Sequence, residues 1–143
     1  MANIYLWHLL NIKPVKKKFG PEAMIQYEFV NCLRALSIEG KLDCVWFAVS
    51  NETGRSDHAS FGQTQKMLGK IAGTPDLVFL MKNGCGCIEF KAPNGKQSQN
   101  QKYFQMWCKE QEVDYRLCYS KEEALDVLIE WEVMRNENKP SWY

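Results

Sequence analysis

The sequence predicts a single α/β domain in which helices flank a central sheet, and three observations point to it. Residues 73–91, GTPDLVFLMKNGCGCIEFK, read as a β-hairpin: an apolar run Leu77–Met81, a turn pair Asn83-Gly84, and a returning run Cys85–Lys91. Three further segments carry apolar residues at helical spacing behind start signals, beginning at Gly20-Pro21, Ser98 and Ser120. The chain has 143 residues, 45% of them hydrophobic, with no internal repeat, low-complexity tract or linker. A chain of that size forms one domain and buries roughly 70% of its unfolded surface. The domain is expected to span 1–143, with its core over about 20–134, an N-terminal arm at 1–19 and a C-terminal tail at 135–143.

Taken in order, residues 1–20 are the least readable, and Ile4–Leu10 is either a short strand or a helical turn. Gly20-Pro21 opens a helix to about Ile38, with Gly40 as its stop signal. Its apolar stripe is Ile25, Phe29, Leu33 and Leu36. At about 100° per residue, Glu22 and Gln26 fall within that stripe while Glu28 lies off it. A glutamate there either favours the helix N-terminus through the dipole or serves as an inward-facing ligand. Cys44–Val49 is an expected buried strand, Ser50–Ser60 an exposed polar loop, and Gln63–Lys70 a short helix or turn. After the hairpin, Ala92–Gln97 is a loop. Ser98 and Gln101 have capping-box spacing and start a helix to about Gln111, with Gln101 facing inward. Val113–Tyr119 alternates as a fourth strand, and Ser120 caps a last helix over Lys121–Met134. Arg135–Tyr143 is a polar tail.

The hairpin carries the chemistry. With Asn83 and Gly84 as the loop, Lys82 pairs with Cys85, Val78 faces Glu89 and Asp76 faces Lys91. Cross-strand partners share a face, as do residues two apart, so Asp76, Glu89 and Lys91 converge. Leu77, Phe79, Met81, Ile88 and Phe90 point the opposite way, toward a helix. Two carboxylates across a hairpin can share a hard divalent cation, and a lysine beside it can orient water or stabilise a phosphoryl oxygen. The bland alternative is an ordinary turn aspartate after proline and a solvated Glu-x-Lys strand. The triplet alone is too short to decide.

Composition excludes several classes. The net charge of +1 does not announce a nucleic-acid binder, although acidic ligands offset basic contacts in such a total. Local charge says more: Lys13, Lys16, Lys17 and Lys18 form a basic run, and Lys91, Lys96 and Lys102 gather after the hairpin. No run of eighteen apolar residues occurs, and Ile4–Leu10 is too short and lacks the basic leader of a signal peptide. The six cysteines, scattered over predicted helices and strands, read as reduced thiols of a cytoplasmic protein with no membrane partner. Cys85 and Cys87 lack the second pair that a zinc site requires. The presence of only His8 and His58 argues against a histidine-based nuclease site.

The order and spacing of several blocks are more specific than the triplet. ExxxQ (Glu22, Gln26), SNETG (Ser50–Gly54), GTPDLVF (Gly73–Phe79), IEFKAPNGK (Ile88–Lys96), SxxQ (Ser98–Gln101) and YSKEEAL (Tyr119–Leu125) together resemble the VRR-NUC family, the virus-type replication–repair nucleases of the PD-(D/E)xK superfamily. The resemblance runs from about Glu22 to Glu130 and implies a restriction-endonuclease-like fold with a mixed central sheet. It implies that Asp76, Glu89, Glu22 and the backbone carbonyl of Phe90 bind Mg²⁺ or Mn²⁺, that Lys91 assists hydrolysis, and that Gln101 stands behind the site. Two departures, the compact LGKIAG before Thr74 and a serine before Asn51 where proline is common, bear on loop geometry and not on the ligands.

The expected activity is metal-dependent endonucleolytic cleavage of branched DNA, as by homodimeric phage resolvases of Holliday (four-way) junctions, in a bacterial or phage-infected cytoplasm. A restriction-type or DNA-end or flap nuclease with the same site is the alternative, and a non-catalytic DNA-binding module is the third. Asn51, Lys96, Lys102, Lys16, Lys17 and Lys18 are the candidate DNA contacts. Trp131, Trp142 and Tyr143, or Ile4, Tyr5 and Trp7, are the candidate dimer interface.

Overall fold

The computed structural model describes residues 4–50 and 59–143. Ile4–Leu10 is a helix, α1, packed on α2 (Pro21–Ile38). Between them the chain is irregular, and Lys13, Lys16, Lys17 and Lys18 are exposed. Pro21 opens α2 in its first turn, where its missing N–H costs nothing. Gly40 ends the turn after it at φ 72°.

The sheet has the order β1-β2-β3-β4, built from Val45–Ala48, Leu77–Met81, Gly84–Phe90 and Asp114–Cys118. The first two pairings are antiparallel; β3 and β4 are parallel, joined by the crossover helix α4 (Gln99–Glu110). The sheet is therefore mixed, as expected. The helix α3 (Ala59–Met67) precedes β2 and starts earlier than the sequence suggested. Most of the expected 50–60 loop, with Asn51 and His58, lies outside the described residues.

On one face of the sheet α2 and α5 (Lys121–Glu130) close the core: Phe29, Leu33, Leu77, Phe79, Ile88, Phe90, Leu125 and Leu128 are fully buried. Each such side chain stabilises the fold by about 1.5–3 kcal/mol relative to an exposed one. Leu77, Phe79, Ile88 and Phe90 all face this core, so the parity read from the hairpin holds.

The register differs from the expected one. Met81 stands opposite Gly84 and Leu77 opposite Ile88, so the turn residues are Lys82 and Asn83. Neither has a positive φ; Gly84, at 142°, begins β3. A type I′ turn needs positive φ at both central positions, so Asn-Gly does not form one here. The shift is of two residues, which preserves every side chain's face and sets Asp76 opposite Glu89 instead of Lys91.

β1 also departs from expectation. It is an edge strand, with Val45 and Phe47 62% and 45% exposed. Only Trp46 turns toward the core, where its Nε1 donates to Ser37 Oγ at 2.9 Å. A continuous apolar run signals a strand covered on both faces, but α4 packs against β4 at the far side of the sheet.

The last helix ends at Glu130, before the expected Met134. Glu132, at φ 59°, turns the chain and folds Val133 and Met134 back into the core. Trp131 lies over Gly86, where an added Cβ would come within 2.5 Å of the indole. Its Nε1 donates to Asp114 Oδ2 at 2.7 Å. Trp131 is thus half-buried against the sheet, in room that the glycine leaves for it. The tail packs on α5: the Lys121 ammonium sits 4.1 Å from the Trp142 ring, and Tyr143 hydroxyl donates to Asp126.

Gly73 joins the loop before β2 to α4. Its φ is 84°, and a Cβ there would lie 2.4 Å from the carbonyl carbon and oxygen of Asn100. Both strain and a backbone clash oppose any side chain, so Gly73→Ala is expected to cost about 2–4 kcal/mol. A urea midpoint unchanged from the parent would refute this contact.

Candidate active site

Five side chains from four elements converge at one end of the sheet. Asp76 immediately precedes β2, and its Oδ2 accepts the Phe90 backbone N–H at 2.7 Å. This bond ties the head of β2 to the end of β3. Glu89, on β3, is 1% exposed. Its Oε1 accepts from Gln101 Nε2 at 2.7 Å and lies 3.4 Å from Lys91 Nζ. Lys91, just past β3 and itself buried, also reaches Glu22 Oε1 at 3.4 Å. Glu22 comes from the first turn of α2, so its place on the inward stripe brings it to the cluster, as expected.

Gln101 both caps α4 and reaches Glu89. Its Oε1 accepts from the Ser98 backbone N–H at 2.8 Å while Ser98 Oγ accepts from the Gln101 N–H, completing a capping box. Its remaining amide nitrogen points at Glu89. The helix start and the carboxylate's orientation thus depend on one side chain.

Burial dominates the electrostatics. It raises the Glu89 carboxyl from its usual range to about 8, with the nearby Asp76 charge adding and Lys91 opposing. The Asp76 carboxyl is also raised by burial, against the lowering effect of the Phe90 N–H. Three carboxylates face one lysine, and Glu89 Oε2 is buried without a hydrogen-bond partner. Such an oxygen is costly unless something binds it. An all-oxygen donor set with surplus negative charge suits a hard divalent cation completed by water. Among the described residues, no three His, Cys, Asp or Glu side chains are gathered closely enough to form a metal cage by themselves. The residues present fit such an ion as part of its shell, with other oxygens supplying the rest.

The candidate DNA contacts are dispersed. Lys96 and Lys102 are exposed on the α4 side of the cluster, and Lys16, Lys17 and Lys18 lie in the irregular segment after α1. The site also includes residues that the sequence reading missed. Tyr115 of β4 shares the Glu89 face, and its hydroxyl accepts from Gln97 Nε2 at 3.4 Å; Gln97 also donates to Gln105 Oε1 at 3.0 Å. Burial raises the Tyr115 pKa, with the Glu89 charge adding to it. The alternation of Val113–Tyr119 put Tyr115 on one face, but the register of a parallel crossover leaves no local signal.

The described cysteines carry no disulfide. No helix among the described residues is long and apolar enough to cross a membrane. A family model described as the VRR-NUC domain matches residues 22–122, a span that starts at Glu22 and contains every member of the cluster. No curated protein and no solved structure matches the chain.

Proposed function

We propose, from the premise that the chain belongs to the VRR-NUC family of nucleases, with their restriction-endonuclease-like fold, that it is a divalent-metal-dependent endonuclease of branched DNA. The observation that carries this reading is the buried, unpartnered Glu89 oxygen beside Asp76. Asp76, Glu89, Glu22 and the Phe90 carbonyl would hold Mg²⁺ or Mn²⁺. When bound, such an ion lowers the pKa of a coordinated water and neutralises charge building on the phosphate. Gln101 fixes Glu89 so that its free oxygen faces the site. Lys91, held between Glu89 and Glu22, stabilises the non-bridging phosphate oxygens and orients the attacking water. Water attacks phosphorus and releases a proton to solvent, one P–O ester bond breaks, and the departing oxygen takes a proton from solvent.

The junction preference goes with a homodimer as the active form. One small domain offers one such site, whereas resolving a four-way junction takes two symmetric cuts, which a two-fold dimer supplies. Ile4, Tyr5, Trp7 and Leu9 leave α1 with a large exposed apolar surface for that contact.

The test is cleavage of four-way junction, flap, linear duplex and single-stranded DNA with Mg²⁺ or Mn²⁺, together with sedimentation with and without junction. The expected result is paired cuts across the junction by a dimer. Preference for ends or duplex sequence would assign the site to another nuclease class, and binding without cleavage would leave a DNA-binding module.

A further inference from the structure

We infer that the cavity between α3 and the first turn of α4 binds one unpaired nucleotide of the DNA; this rests on the nuclease reading above. The cavity has a volume of about 390 Å³, within the range of small-molecule sites. Its walls include Phe61, Lys66, Lys70, Ile71, Ser98 and Gln101. Gln101 is the link, because this lining residue also donates to the catalytic carboxylate of Glu89 at 2.7 Å. A nucleotide seated there would lie one residue from the cluster that hydrolyses the backbone.

The lining suits a nucleotide in particular. Phe61 and Ile71 are 42% and 43% exposed and offer an apolar surface for a base. Lys66 supplies positive charge for phosphate, and no described lining residue is acidic. Aromatic stacking combined with basic contacts is how single strands are held without sequence preference. A base stacked and paired within a duplex cannot enter a concave site. Branched DNA can present an unpaired base at its branch point, so the cavity would select for that feature. The 300 Å³ cavity between α4 and the sheet, lined by Val78, Phe104 and Trp107, has no cationic lining and does not fit this ligand.

The test uses binding without chemistry. Fluorescence anisotropy in EDTA would measure the affinity of the full chain for a short labelled oligothymidylate and for a duplex of equal length. Phe61→Ala is expected to weaken single-strand binding roughly 5- to 20-fold with little change for duplex, and Phe61→Tyr to retain it. Lys66→Ala should reduce the salt dependence of single-strand binding by about 0.7 in the log–log slope. The proposal is overturned if the parent does not bind the single strand, if Phe61→Ala stays within twofold of it, or if duplex binding falls equally. Cleavage by the parent with Mg²⁺ or Mn²⁺ is scored separately. No cleavage with the binding pattern intact removes the nuclease reading, and cleavage without the Phe61 effect removes only this site.

Discussion

Asp76→Asn or Lys91→Met is expected to lower cleavage by at least about 10³-fold while DNA binding stays within a few-fold of the parent. The substitutions are chosen for shape. Asparagine keeps an oxygen that can accept the Phe90 N–H, so the junction between β2 and β3 is preserved, but the charge is lost. Methionine fills much of the volume of the buried Lys91 stem and removes the ammonium that lies 3.4 Å from both Glu89 and Glu22. Phosphate contacts spread over many residues would supply the affinity for DNA, so one missing charge should change it little. Single-turnover cleavage and anisotropy separate the two effects. Parent-like cleavage by both variants would end the nuclease assignment. Calorimetric melting shows whether lost activity reflects lost fold; if Lys91→Met melts early, Asp76→Asn decides alone.

The fold was legible where local chemistry determined it. Pro21, Ser98 and Ser120 mark helix starts because each meets a local need of a helix N-terminus, and all three mark the observed starts. The facing of Asp76, Glu89 and Lys91 followed from period-two alternation, which tolerates a register error of two residues. The turn type was not legible, because Asn-Gly is compatible with more than one hairpin geometry, and here Gly84 begins β3 at φ 142°. The exposure of β1 and the position of Tyr115 depend on which strands become neighbours. That is set by the α4 crossover, and no short window of sequence encodes it. Glu22 and Gln101 were legible as inward-facing polar residues at helix starts. Only the packing of α2 and α4 on the same end of the sheet brings them to one carboxylate and one lysine.

In metal-free protein, Glu89→Gln is expected to become the more stable form as pH rises, and this follows from the raised carboxyl. Below about pH 4.5 the group is protonated in both folded and unfolded chains and contributes no pH dependence. Between that value and about 8 the unfolded chain ionises while the folded site holds its proton, so each rise in pH favours unfolding. Above about 8 the loss is complete, at most about 5 kcal/mol and less once the site relaxes. Glutamine keeps the oxygen that accepts from Gln101 and has no charge to bury. Urea denaturation of both proteins in EDTA at pH 5, 7 and 9 measures the difference, which should widen with pH in favour of the variant. Adding Mg²⁺ or Mn²⁺ at pH 8 should then narrow it by stabilising the parent alone, by about 2.7 kcal/mol at a hundredfold excess over the dissociation constant. Parallel pH profiles would mean that Glu89 is ionised in the free protein at no cost. The buried, unpartnered oxygen would then lose its standing as the feature that calls for a cation.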